Sequence, residues 1–500
     1  DAPVAPFETG VENAPRNEID ALVRAKLDEH GIQPARTCSD EVFVRRVYLD
    51  VIGTLPEPEA VQAFLDDADD GKRTALIESL FARDEFADYW ALKWGDLLRV
   101  KAEFPINLWP NAVQAYHRWI HDAIRTNMPY DEFARKLLTS SGSNFREPPV
   151  NFYRAVQRQE PSTIAEAVAL TLMGTRLELW PEDRRAGMTA FFSRVAFKKT
   201  AEWKEEIVYL DPAAAGTLDA VFPDGTAVQI PPGKDPREVF ADWLIAPDNP
   251  WFARAIVNRV WSWLMGRGIV HEPDDIRPDN PPANPELLDY LAKELVASQY
   301  DLRHIYRLIL DSATYGQSSI PRSDRPEAEA LAAYYPVRRL EAEVIVDALC
   351  WIFGGTESYT SPIPEPFTYI PEEQRTIDLS DGSITSSFLE MFGRPARDTG
   401  LESERVNQPT DEQALHLLNS SHIQKKIEGS AWMNALGKAA PKDRKQQVRA
   451  IYMRILSRNP TKDELTAALG YYGKAGPGWK QAAGDLAWAL INSKEFLYRH

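Results

Sequence analysis

Two cysteines in 500 residues, Cys38 and Cys350, cannot build a disulfide framework. They can pair once, but buried free thiols are the expected state. No run of about eighteen apolar residues occurs, so no segment is expected to span a membrane. Basic residues are outnumbered, 57 Lys and Arg against 74 Asp and Glu, and the net charge of -17 argues against a general nucleic-acid surface. The densest basic run, KAAPKDRKQQVR, is short, so a polyanionic partner would need a local basic pocket. A Gly-rich phosphate loop, a nucleophile elbow and zinc-finger spacing are all missing, which removes ordinary nucleotide-dependent and serine-hydrolase readings. The chain starts DAPVAPFETG without Met, as it would after removal of an export signal, although a trimmed start reads the same. The expected location is therefore extracytoplasmic, periplasmic or secreted.

What is present is helix. Apolar residues make up 44%, ample for burial, and the length calls for two domains or one large fused helical body. Ile19, Leu22, Val23 and Leu27 mark a first helix. Ser39 caps SDEVFVRRVYLDVIG, where Arg46 and Asp50 are one turn apart and are expected to form an intrahelical ion pair. Trp90 and Trp94 recur at helical spacing as core. His117 and His121, one turn apart, are a possible metal pair without an evident third ligand. FFSRVAFKK reads as the end of a further helix. IVYL and LDAVFPDGTAVQI alternate around Asp224-Gly225, a hairpin signal. Beyond Pro231-Pro232-Gly233, Asp235-Pro236 opens a second helical series. Thr410 with Gln413 and Thr461 with Glu464 form capping boxes within it. Residues 355–385 are Pro-, Ser- and Thr-rich and long enough to be a functional loop. The expected fold is mainly α: two helical domains, 17–200 and 235–500, with a small β-hairpin insertion between them at 201–234 and an N-terminal arm at 1–16.

Three stretches gather chemistry. NPWFARAIVNRVWSWLMGRGIV places Arg259 and Trp261 on an amphipathic helix, where Arg259 needs a carboxylate partner if it faces inward. The loop that follows, HEPDDIRPD, offers His271, Asp274, Asp275 and Asp279. They suit a divalent metal, proton transfer, or a solvated acidic loop whose carboxylates bond backbone amides and arginines. In RRLEAEVIVDAL, Glu341 and Glu343 belong either to an ion-pair lattice between helices or, with Asp274 and Asp275, to a catalytic carboxylate pair. FGRPARDTGLESER adds Arg394, Arg397, Asp398, Glu402, Glu404 and Arg405 on an irregular segment, where arginines can grip a carboxylate or sulfate.

FVRRVYLDVIGTLP, NPWFARAIVNRVWSWLMGRGIV, NPPANPELLDYLA, RRLEAEVIVDAL, FGRPARD and QALHLLNSSHIQ, in this order, resemble a known family. It is that of the paired domains of unknown function numbered fifteen-forty-nine and fifteen-fifty-three, from planctomycetes and verrucomicrobia. Many relatives carry Cys-x-x-Cys-His, which holds c-type haem, where this chain reads LMGTRLELWPEDRRAGMTAFF. Others have cysteines where it reads TGLESERVNQPTDE. No c-type haem is therefore expected, and no other cofactor apart from the divalent metal. The family's company with polysaccharide-handling genes implies an exported protein that binds or acts on carbohydrate, with a protein partner in such a system. A glycoside hydrolase using a carboxylate pair in a Trp- and Arg-lined cleft between domains is the concrete form. The alternative is a non-catalytic binding or scaffold subunit descended from a haem-bearing redox protein.

Overall fold

Helix starts in the computed structural model follow the capping chemistry of the sequence; the residues it describes are 7–214, 216–439, 443–474 and 478–500. Asn17 and Asp20 close a capping box on Glu18–Glu29, and the Ser39 hydroxyl accepts from the Val42 amide at the head of Asp40–Val51. Asp235 caps Pro236–Leu244, and the box of Thr410 with Gln413 heads Asp411–Asn419. Asn249 accepts from the amides of Trp251 and Phe252 and so starts the Trp-rich helix Phe252–Met265. The fold is mainly α with small sheets.

Of the expected arm, residues 1–6 lie outside the described residues, as do 440–442 within the basic run. The rest of the arm is tied down: Glu8 bridges Cys38, and buried Asn13 donates to the Ala313 carbonyl at 2.8 Å. Cys38 and Cys350 are both free thiols.

The β-structure is larger than its sequence signal. The hairpin of Leu218–Val221 with Ala227–Ile230 forms around Asp224-Gly225. Val195–Lys199, read from the sequence as the end of a helix, is instead a strand paired with Glu206–Leu210, which also pairs Gly142–Ser143. Val195 and Phe197 fall on one side of the strand, and tertiary pairing overrides the weak helical period.

The expected pair of Arg46 with Asp50 is absent. Both residues are buried, and each finds partners across the core. Arg46 donates to the carbonyls of Tyr315 and Gln317 and stacks on Tyr335. Asp50 accepts from the hydroxyls of Tyr315 and Tyr335, and pairs with Arg338 at 2.8 Å and Arg499 at 2.9 Å. Arg499 reaches Glu341 at 2.6 Å, and Glu341 takes Lys93 at 2.5 Å. Residues from both halves of the chain thus join in one buried chain of charges. The short strand Arg338–Arg339 pairs with Tyr498–Arg499 directly above it. The long connection 355–385 runs across the first half, burying Ile377 and Leu379 and donating Gly382 N–H to the Val100 carbonyl.

Burial alone would raise the Glu341 carboxyl, but Arg499 and then Lys93 outweigh it and hold it well below the ordinary carboxylate range. A carboxylate with a depressed folded pKa contributes stability that is complete above its unfolded value, about 4.3, and is lost as pH falls through the folded value. Glu341→Gln is therefore expected to cost about 3–5 kcal/mol at pH 7. Urea melts of wild type and variant across pH should show that difference level above about pH 5 and shrinking below about pH 4.

Candidate functional site

The acidic loop and the 394–405 segment meet. Asp274, fully buried, accepts the Glu402 amide at 2.6 Å with one carboxylate oxygen and pairs with Arg259 at 2.6 Å with the other. Arg259 also donates to the Leu170 carbonyl in the helix Pro161–Met173, so the junction joins both halves. Asn258 fixes the loop to the Trp-rich helix by exchanging two hydrogen bonds with Val270, at 3.0 and 2.9 Å. The loop then crosses the C-terminal end of Pro161–Met173, where Ile276 donates to the Gly174 carbonyl. Gly174 has φ 61, and a Cβ there would lie 2.9 Å from the Pro273 carbonyl oxygen, so this crossing requires glycine.

The four candidate metal ligands do not converge. Asp274 faces inward to Arg259, Asp275 and Asp279 both pair with Arg277, and His271 is exposed. Among the described residues no group of three or more His, Cys, Asp or Glu is placed to hold a metal ion. His121 pairs with Asp88 at 3.1 Å, while burial pushes neighbouring His117 down to about 3.

The arginines of the 394–405 segment point into the protein. Asp96, on the helix Asp84–Leu97, takes Arg397 at 2.9 Å and Arg405 at 2.7 Å; Arg405 continues to Glu343 at 2.7 Å, and Arg394 lies 3.4 Å from the same carboxylate. Burial pushes the Asp96 and Glu343 carboxyls up, but Arg405 foremost overcomes it and leaves both below their ordinary values. Glu341, Glu343 and Asp274 are therefore enclosed among cations, and Trp261 is packed in the core. Glu404 folds its loop by accepting from the amides of Asp398 and Thr399, which brings Asp398 to Lys101 at 2.5 Å.

Glu402 differs from these carboxylates. Its oxygens accept from the Trp263 indole at 3.2 Å, and burial followed by the charge of Asp274 lifts its carboxyl above the ordinary value.

Outward of this junction lies a cavity of about 290 Å³ whose walls include Arg99, Arg158, Glu166, Arg176, Glu178, Asp398, Thr399 and Leu401. Glu166 sits half-buried on Pro161–Met173; Glu178 is exposed on the turn Leu177–Leu179. Burial, then the negative charge of Glu178, raises the Glu166 carboxyl above its ordinary 4.5. Arg176 pairs with Glu272 at 3.1 Å, linking the cavity wall to the acidic loop. Sequence reasoning passed over Glu166, Glu178 and Arg99. The signal for Glu166 was there: a single charged residue in the otherwise uncharged PSTIAEAVALTLM.

The cavity joins the two stretches where the resemblance leads one to expect thiols, around Arg176 to Glu178 and Thr399 to Leu401. Their side chains supply guanidinium, carboxylate and hydroxyl groups but neither thiolate nor imidazole, and Cys38 and Cys350 lie on other elements. This donor set does not fit a c-type haem. Residues 18–193 match the family model described as protein of unknown function DUF1549, PSCyt2, and residues 236–472 match the one described as protein of unknown function DUF1553, PSD1. No curated protein and no solved structure matches the chain.

A carboxyl whose folded pKa is raised costs stability once pH passes its unfolded value. Glu402→Gln is therefore expected to raise the melting temperature at pH 7, with the gain disappearing below about pH 4.3. Calorimetric melts at pH 7 and pH 4 check this; an equal gain at both would show that the Glu402 charge is not the cause. The purified protein is also expected to show no Soret absorption.

Proposed function

This chain belongs to the family that pairs the DUF1549 and DUF1553 domains, and from that premise we propose that it is an exported protein that binds carbohydrate in the cavity and cleaves a glycosidic bond there. One observation carries the reading: of the three carboxylates in the cavity wall, Asp398 is paired with Lys101, while Glu166 is held toward its protonated form by burial and by the charge of Glu178. Glu166 is the general acid and donates its proton to the glycosidic oxygen as the bond from the anomeric carbon breaks. Glu178, exposed to solvent, is the general base and takes a proton from the water that adds to that carbon. The products are two hydroxyl-bearing sugars, and the two carboxyls have exchanged protonation states.

The enclosed carboxylates support this assignment by contrast. Glu341, Glu343 and Asp274 accept hydrogen bonds or ion pairs from cations in the interior, where a saccharide has no access, and their charge is already matched. Glu166 has no cation within ion-pair distance among the described residues, so its proton is available to a ligand.

A panel of oligosaccharides assayed for reducing-end release tests the proposal. Glu166→Gln is expected to lower kcat by about 10²–10⁴-fold with little change in KM, because the amide keeps the shape and loses the proton. Since the acid must be protonated, the wild-type rate should fall as pH rises through a value above 4.5, the direction in which burial moves Glu166. Release by wild type that Glu166→Gln leaves unchanged, or no release from any glycan that binds, removes the hydrolase reading.

A further inference from the structure

The cavity wall contains a buried cation with no carboxylate within ion-pair distance among the described residues. Arg99 is 3% exposed, and its guanidinium donates to two backbone carbonyls, Nε to Ala155 at 2.6 Å and Nη1 to Leu97 at 3.2 Å. Its Nη2 has no hydrogen-bond partner among the described residues. Four arginines of the interior lattice are treated differently: Arg259, Arg397, Arg405 and Arg499 each lie within 3 Å of a carboxylate. Arg45, Arg46 and Arg339 are also bound by carbonyls without a carboxylate, and what sets Arg99 apart is its place in the wall of this cavity.

The backbone around Arg99 is built to hold it there. Arg99 adopts φ 54, a left-handed conformation that a long side chain takes only when its surroundings enforce it. The covering loop passes at Gly400, φ 76, where a Cβ would lie 2.6 Å from Arg99 Nη1 and 2.8 Å from the Leu97 carbonyl oxygen. The Phe152 ring sits 5.8 Å from the guanidinium, adding an apolar neighbour. Burial accordingly pushes Arg99 down to about 10, the direction expected of a cation with too little countercharge. Two more guanidiniums share the wall. The Arg158 side chain is 73% exposed, and Arg176, 29% exposed, has an unpartnered Nε. A fixed, desolvated guanidinium with a free N–H binds a planar or tetrahedral oxyanion strongly, because the donor is already stripped of water and oriented.

We propose that the cavity recognises an oxyanion carried by the sugar, a carboxylate or a sulfate, with Arg99 as its inner contact and Arg158 and Arg176 as outer ones. This rests on the carbohydrate reading and narrows it to acidic saccharides. It also gives a place to a positive site in a protein of net charge -17, since only short-range, buried contacts favour an anion there.

Isothermal titration of the full chain with a galacturonic acid trisaccharide, a sulfated galactotriose and neutral galactotriose tests it. At least one acidic trisaccharide is expected to bind tenfold or more tightly than the neutral one, and which one it is separates carboxylate from sulfate. Arg99→Met should abolish the preference; Arg158→Ala, on an exposed side chain that folding does not need, should reduce it severalfold. Equal affinity for all three, no binding of any, or a preference that survives both substitutions overturns the inference. Acidic binding that depends on Arg99 without reducing-end release leaves the inference standing and removes the hydrolase reading. Cleavage that depends on Glu166 and is indifferent to sugar charge does the reverse.

Discussion

Four carboxylates, the buried Asp50, Glu341 and Glu343 and the largely enclosed Asp96, govern the arrangement of this protein, because each must be matched by a cation brought from elsewhere in the chain. Asp50 and Asp96 belong to the first half, and their arginines, 338, 499, 397 and 405, belong to the second. Glu341 of the second half takes Lys93 of the first. Hydrophobic contact alone tolerates sliding, whereas paired guanidiniums and carboxylates have fixed geometry. The lattice therefore sets how the halves face each other and, through the loop that carries Arg397 and Arg405, where Asp398 to Leu401 close the cavity.

Interior and cavity treat charge in opposite ways. In the lattice, burial is outweighed by opposite charge, and carboxyls fall below their ordinary values. At the cavity the balance is incomplete: Glu166 is raised, Arg99 is lowered, and each is the kind of group that gains most from a ligand carrying the missing charge or proton. The same two effects, desolvation and Coulomb attraction, produce a rigid frame where they cancel and a wall of unbalanced charge where they do not.

Much of the frame was legible beforehand. Caps at Ser39, Asp235 and Thr410, the Trp-rich helix and the hairpin at Asp224-Gly225 are local signals, and local signals survive folding. Arg46 and Asp50 were misjudged because spacing on a helix reveals neighbours, whereas burial recruits Tyr315, Tyr335 and Arg338 from distant positions. Strand Val195–Lys199 depends on a partner strand that periodicity does not see. For the site, sequence reading picked the two segments that meet at Asp274 and Glu402. It favoured dense clusters of charge, however, and dense clusters neutralise themselves. Glu166 stands out for the opposite reason, as the lone charge in its helix, and only the tertiary structure reveals the cavity it shares with Arg99.

The pairing of Asp50 with Arg499 spans almost the whole chain. A gene fragment encoding the first domain alone would leave Asp50 and Asp96 unmatched, and one encoding the second would strand Arg397 and take from Arg405 and Arg499 one of their two carboxylates. Recombination that separated the two modules would thus yield two chains with unpaired interior charge, neither able to fold as it does here. The partnership of the two domains is a matter of heredity as much as geometry: the charges they exchange make them a single unit of inheritance.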